Sequence, residues 1–307
     1  MKIGIVGSGF GMYGYLPAVI LGGNVPVTLE KYRATILRRV DIQQFDDQIQ
    51  YVSDFEKLVE ASADALVLAV PPLVRRQILG SFRLPYPGHL FLEKPIASSS
   101  QDYSDLKEQL RRVASTWSVG YLFPYTDWHE SLQSWVAESS GELEATIQWT
   151  LSKPKSRDDW KVDKLFGGGI VNFYLSHFIP FLRENDFDNS NFSLGMNGDV
   201  IWNIHKNGRG GYRLTVQCGY GDRLFSVSVD ERNSGVRPTL IYRQETPFGQ
   251  APQPESIDAR STLLYKYMNE VLENPQAIIR KQLGEAKVIE ALCQGLGVEG
   301  THQNLLS

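Results

Sequence analysis

Ile3-Gly4-Ile5-Val6-Gly7-Ser8-Gly9-Phe10-Gly11 decides the fold of this chain. An apolar run enters a glycine-rich turn, and a helical segment follows. That context is what a G-x-G-x-x-G fingerprint needs to cradle a dinucleotide pyrophosphate. Gly7 permits the tight turn, and Gly9 lets the backbone approach the phosphates. The helix N-terminus then supplies amide donors and the favourable end of its dipole. Phe10 belongs to the same cofactor-binding turn. The third glycine comes one place early, at Gly11, with Met12 in the usual position. Pro17 falls inside the first helix and should kink it or restart it near residues 13–16.

Downstream, short apolar runs at 25–29, 49–52, 65–70, 90–92 and 117–121 alternate with helix-spaced segments such as Phe55-Leu58-Val59 and Tyr103-Leu106-Leu110-Val113. Steady alternation of this kind means parallel strands with right-handed crossovers. Ala65-Leu66-Val67-Leu68-Ala69-Val70 is apolar at every position, as a strand covered on both faces must be. The expected fold class is α/β: a doubly wound Rossmann sheet over residues 1–120, then an α+β domain over 121–307. In the second part helices are expected near 128–139 and 170–183. Strands, mostly antiparallel in an open sheet, are expected near 147–151, 200–206, 212–220, 223–230 and 238–243. Residues 246–255, with three prolines, read as a loop, and helices near 260–273 and 284–294 close the chain.

Chemistry-bearing residues cluster at the carboxyl ends of the first strands. Glu30 ends the second strand, where an acidic side chain accepts from the adenosine ribose hydroxyls and repels a 2′-phosphate. That favours NAD; Lys31 and Arg33 nearby leave NADP open. Val70-Pro71-Pro72 would border the nicotinamide side of the crevice. Glu93-Lys94-Pro95 follows the fifth strand, and Glu93 and Lys94 join the cofactor-facing set. A lysine there can hydrogen-bond an oxygen that changes between hydroxyl and carbonyl, and partial burial would tune its pKa. A second cluster reads Trp160-Lys161-Val162-Asp163, Gly167-Gly168-Gly169, then Asn172, Phe173, Tyr174 and His177. The glycines give a helix start freedom to approach a ligand, and His177 can exchange a proton with a substrate hydroxyl. His89, His129, His205 and His302 have no comparable context.

With 307 residues and a net charge of −4, and with no long basic run, neither a nucleic-acid nor a membrane partner is expected. Cys218 and Cys293 lack metal or disulfide spacing and read as small apolar residues; no metal is expected. With no basic leader read at the start and no apolar segment of about 18 residues, a cytoplasmic location is expected.

At these motifs the chain resembles the Gfo/Idh/MocA oxidoreductases, which include glucose–fructose oxidoreductase and inositol dehydrogenase. The likeness rests on Gly7 to Gly11, Ala69-Val70-Pro71-Pro72, Glu93-Lys94-Pro95, Trp160 to Asp163 and Gly167 to His177, with Glu93-Lys94-Pro95 the most specific element. It implies a Rossmann domain followed by a substrate-binding, oligomer-forming domain, and so a homo-oligomer, dimer or tetramer. Lys94 and His177 become the catalytic pair, with Tyr174 offering a hydroxyl. Trp160, Asn172, Phe173, His177 and Lys94 become the substrate-binding set. One departure matters: the family's aspartate four residues before the histidine is Phe173 here. On a regular helix Asn172 lies about 140° round from His177, and Tyr174 about 60°. The stretch in which the family often has an arginine reads Gly120-Tyr121-Leu122-Phe123-Pro124-Tyr125, which implies a less polar substrate rim.

The function expected is hydride transfer between the nicotinamide of NAD, or NADP, and a hydroxyl or ketone of a sugar, cyclitol or sugar-nucleotide. Two alternatives stand beside it: a dinucleotide-binding sensor or silent subunit, and a lyase or hydrolase that uses NAD as an internal redox device.

Overall fold

The computed structural model describes residues 1–138, 143–152, 173–180, 192–194, 200–204, 212–220, 222–231, 239–249 and 256–274. Trp160, Lys161, Val162, Asp163, Gly167 to Gly169, Asn172, His205, Cys293, His302 and the expected helix at 284–294 lie outside them, as does most of the proline-rich loop. Strands β1 (Lys2–Val6), β2 (Val25–Leu29), β3 (Gln50–Val52), β4 (Ala65–Leu68), β5 (His89–Leu92) and β6 (Trp117–Val119) form a parallel sheet in the order β3-β2-β1-β4-β5-β6. This is the doubly wound order, with its switch point between β1 and β4. Among the helices that cross over it are α1 (Leu16–Leu21), α2 (Arg33–Leu37), α3 (Phe55–Ala61), α4 (Pro72–Ser81) and α5 (Ser100–Val113).

Leu66, Leu68, Leu90 and Leu92 pack in one apolar cluster, and Ile3, Ile5, Ala65, Val67 and Phe91 in another. Successive strand residues point to opposite faces, so these are the two covered faces of the sheet. Strands β4 and β6 end earlier than their apolar runs suggest. The Val70 carbonyl is taken by Arg75 Nη2 at 3.1 Å, and the Tyr121 N–H turns back to the Val119 carbonyl at 2.8 Å. Those groups are satisfied outside the ladder, so the strands stop. The restart at Pro17 is present: residues Gly11–Tyr15 form a π-helical turn, and α1 begins at Leu16. Pro17 then sits in the first turn, where its missing N–H leaves no bond unmade.

Strands β7 (Leu143–Leu151), β8 (Phe192–Leu194), β9 (Val200–Ile204), β10 (Tyr212–Tyr220), β11 (Leu224–Glu231) and β12 (Thr239–Gln244) form a second sheet, ordered β12-β11-β7-β10-β9-β8. Its neighbours are antiparallel except β7 and β10. Strand β8, three residues long, is too short to leave a period in the sequence. Ala145, Ile147 and Trp149 are buried while Gln148 is exposed, the alternation of a sheet with one covered face. One apolar cluster runs from Leu68 and Leu92 through Tyr121, Phe123 and Trp128 to Ile147 and Phe225. Trp128 belongs to α6 (Asp127–Glu138). Helix α7 (Ala259–Glu273) returns to the first sheet, where Leu264 and Met268 join Ile3, Met12 and Leu16. Cys218 is half-buried in β10 and its thiol is pushed up to about 12 by burial, so it is an unreactive apolar residue. No described helix is long and apolar enough to cross a membrane.

His89 starts β5, far from the carboxyl ends, with Nε2 2.8 Å from Ser118 Oγ, which also accepts from the Tyr267 hydroxyl of α7. Burial lowers its pKa from 6.5 to about 4. An unfolded histidine takes a proton near pH 6.5, so between these values the unfolded chain binds the extra proton and stability falls with pH. The whole window is worth roughly 3 kcal/mol. Urea midpoints followed from neutral to about pH 4.5 should show the decline, with a shallower slope in His89→Leu. An identical slope in that variant would remove His89 as its origin.

Candidate active site

The carboxyl ends of the first sheet lie side by side. The Ala69 N–H donates to the Val6 carbonyl at 2.8 Å, Glu93 to Leu68 at 3.2 Å and Gly120 to Leu92 at 2.9 Å. This row brings the Gly7 turn, the Val70-Pro71-Pro72 segment and Glu93-Lys94-Pro95 to one edge. The Lys94–Pro95 peptide is cis. Pro71 is the N-cap of α4 and Pro72 its first residue, so the prolines begin a helix.

Lys94 is only 7% exposed. Its Nζ donates to the Phe173 carbonyl at 2.7 Å and sits 3.3 Å from the centroid of the Phe173 ring, with the Tyr174 ring at 5.6 Å. The fold therefore joins two motifs nearly eighty residues apart. An aromatic face attracts the ammonium through its quadrupole without a formal charge. Phe173 thus meets the lysine from the position where the resemblance puts an aspartate.

His177 lies in a 3₁₀ turn, Leu175–Phe178, rather than a regular α-helix. Tyr174 precedes the turn as its N-cap and packs edge-on against Trp149, with ring centroids 5.5 Å apart. The imidazole is 3% exposed and stacks on Phe123, with ring centroids 4.8 Å apart. Trp149 and Phe248 flank it at 6.4 and 5.5 Å. Burial, then the charges of Lys94 and Arg260, holds its pKa well below 6.5, so it is neutral at physiological pH. Its Nδ1 is buried with no hydrogen-bond partner among the described residues. A neutral ring with an open nitrogen can accept or relay a proton.

The Glu93 carboxylate is half-buried and accepts from the Tyr15 hydroxyl at 3.0 Å. Burial raises its pKa against the opposing pull of Lys94, Tyr15, Arg260 and Arg75. In the glycine turn, Gly7 has φ +133°, and a Cβ there would lie 2.2 Å from the Ala69 carbonyl oxygen. A Cβ on Gly11 would sit 3.3 Å from the Ala69 Cβ, so Gly11, although early, permits close helix–strand packing. A Cβ on Gly9 would meet nothing within 4 Å. The backbone at Gly9 faces open space, which fits a phosphate group lying against it. Phe10 folds back onto Tyr13 and Tyr15 at 5.3 and 5.6 Å.

Glu30 is exposed at the end of β2, 3.7 Å from Arg33 Nη1. Arg33 is held by both oxygens of Asp46, at 3.2 and 2.9 Å, and lies over the Tyr51 ring. Lys31 lies over Tyr32 at 5.4 Å. Arg33 is thus tied to carboxylates on both sides and Lys31 to a ring, while Glu30 keeps an exposed carboxylate at the strand end. Glu30→Ala should weaken NAD binding by about tenfold or more and narrow its advantage over NADP, since hydrogen bonds to a charged group are worth about 1.5–3 kcal/mol. Fluorescence titrations with both dinucleotides measure it, and an unchanged ratio would show that Glu30 does not read the ribose.

Several residues of this edge have no motif. Arg75 is fully buried in α4, on the helix side that also buries Pro72 and Leu79. An arginine in an apolar stripe is the one sequence signal it leaves. Beside Tyr174 lies a cavity of ≈ 350 Å³ walled by Trp149 and Phe248, with Arg223, Glu245 and Arg260 also lining it. Arg260 grips Asp258 at 2.9 and 2.7 Å and stacks over Phe10 at 4.5 Å, linking cavity and glycine turn. Contacts between such distant residues exist only in the folded chain. Among the described residues no three His, Cys, Asp or Glu side chains converge as a metal site.

The fold is that of the Gfo/Idh/MocA oxidoreductases, as solved structures show. A family member from Vibrio cholerae superposes with a TM-score of 0.65, 14% identity, and coverage of 98% of this chain and 99% of that one. A 3-ketoreductase from Actinomadura kijaniata, in complex with NADP and TDP-benzene, gives 0.62 at 14% identity over 96% and 97%. A myo-inositol dehydrogenase from Corynebacterium glutamicum gives 0.63 at 12% identity over 96% of each chain. No family model and no curated protein matches the sequence.

Proposed function

We propose that the chain is an NAD(P)-dependent oxidoreductase acting on a hydroxyl or ketone of a sugar, cyclitol or sugar-nucleotide. One observation carries the reading: Lys94 and the Phe173-to-His177 turn meet at the strand ends that also hold the glycine turn. A dinucleotide bound there would supply or accept the hydride. Gly7, Gly9, Phe10 and Gly11 hold the pyrophosphate, Glu30 the ribose, and Val70 to Pro72 with Glu93 border the nicotinamide side.

Lys94 Nζ hydrogen-bonds the reacting oxygen, gives it a proton on reduction of a ketone and takes one on oxidation of an alcohol. His177, neutral and partly ringed by aromatics, relays that proton, and Tyr174 offers a hydroxyl beside it. Phe173, Trp160 and Asn172 contact the substrate with Lys94 and His177. The substrate body extends into the cavity beyond Tyr174. Phe123, stacked on His177, stands in the stretch where the family often has an arginine, and gives an apolar wall. The reading carries a cytoplasmic homo-oligomer with it, and light scattering on the purified chain gives the subunit number.

The test is the ultraviolet absorbance of reduced nicotinamide while the protein meets sugars, cyclitols and sugar-nucleotides with NAD and with NADP. A substrate-dependent change supports the reading and names the substrate class. Tight dinucleotide binding with no turnover on the whole panel would overturn it in favour of a sensor or an internal redox enzyme.

A further inference from the structure

Arg75 stands one layer behind the proposed reaction site and touches none of the groups assigned to substrate. Its side chain is fully buried. Nη1 donates to the carbonyls of Pro95 at 3.2 Å and Ile96 at 2.9 Å. Nη2 donates to the carbonyl of Val70 at 3.1 Å and, by a shorter contact, to that of Glu93. Three of these carbonyls flank Lys94 on both sides, and the fourth, Val70, belongs to the segment proposed to border the nicotinamide. They have left the strand ladder, and buried carbonyls need a donor from elsewhere. A guanidinium is the side chain that offers several donors in a fixed plane.

Burial costs Arg75 part of its charge preference and lowers its pKa to about 10, offset by Glu93, Tyr15, Tyr121 and Asp102, so it remains a cation at neutral pH. Its charge also acts on the half-buried Glu93 carboxylate, which accepts from the Tyr15 hydroxyl. On an apolar helix side a leucine would pack as well. An arginine there serves the loop.

We propose that Arg75 is the positioning residue of this site: by clamping the backbone on both sides of Lys94 and at Val70, it fixes the lysine relative to the nicotinamide-facing edge. The inference rests on the oxidoreductase reading for its catalytic consequence, but the clamp itself can be read in the protein alone. A misplacement of about 1 Å at a reacting group can cost about 10²-fold in rate, which is the effect expected when the clamp loosens.

The experiment compares wild type with Arg75→Lys, which keeps the charge but loses the fork, and Arg75→Gln, which keeps two N–H donors without the charge. The apo proteins are treated with limiting acetic anhydride, and acetylation of Lys94 is measured by mass spectrometry against the surface residue Lys57. Severalfold faster labelling of Lys94 is expected in both variants, with the fold intact by circular dichroism. With a substrate found by the panel above, kcat should fall by about 10²-fold while KM stays within a few fold. Wild-type labelling in both folded variants would overturn the proposal. Loss of fold in both would also overturn it, because Arg75 would then be holding the domain and not the lysine. If wild type turns over nothing on the panel, the oxidoreductase reading fails and the labelling alone still decides the clamp.

Discussion

The Lys94→Ala variant is expected to lower kcat/KM by about 10²- to 10⁴-fold, roughly 3–5 kcal/mol of transition-state stabilisation. The lysine head is placed by the Phe173 carbonyl and ring, 2.7 Å from one and 3.3 Å from the centroid of the other. Truncation removes the group proposed to meet the reacting oxygen and leaves the backbone grip of Arg75 untouched. Dinucleotide affinity should therefore change little, and the loss should fall on turnover. Steady-state kinetics and a dinucleotide titration on the same preparation separate the two. Unchanged turnover in Lys94→Ala would remove Lys94 from the mechanism; an equal loss of cofactor affinity would make it a cofactor ligand instead.

Gly7→Ala is expected to destabilise the chain by roughly 2–6 kcal/mol, the sum of a strained backbone conformation and overpacking. Gly7 has φ +133°, and an added Cβ would lie 2.2 Å from the Ala69 carbonyl oxygen and 2.9 Å from its carbon. Backbone atoms of a buried strand end cannot move aside as the tip of a flexible side chain can. Gly9→Ala is the internal contrast, since a Cβ there meets nothing within 4 Å. Its stability should stay near wild type while dinucleotide binding weakens, because the new methyl occupies the space assigned to the pyrophosphate. Denaturant midpoints and cofactor titrations on both variants check this. A Gly7→Ala protein as stable as wild type would contradict the turn geometry, and unaltered binding in Gly9→Ala would move the pyrophosphate elsewhere.

Most of the first sheet was legible because its signals are local. Ile3 to Gly11 carries a strand, a turn and a helix start in nine residues, and runs such as Ala65 to Leu68 are apolar on both faces because helices cover both. The strands of the second sheet showed through alternation, as in Ala145, Ile147 and Trp149 against Gln148. The parallel pairing of β7 with β10 did not show, since alternation reports which face is buried and not which strand lies alongside. Strand β4 stops short of its apolar run because a distant group takes a carbonyl there, as Arg75 does at Val70.

By itself the sequence determined the doubly wound fold and the glycine turn, and it singled out Lys94 and His177 as the candidates for the chemistry, because each is written in neighbouring residues with a fixed period or motif. Only the tertiary structure decided how they work together. Phe173 comes to hold Lys94, Phe123 to stack on His177, Arg75 to clamp the loop and α7 to bring Arg260 beside Phe10. The reason is physical: hydrogen bonds, ring contacts and charge pairs act over a few ångströms, and chain closure alone brings residues so far apart in sequence within that reach.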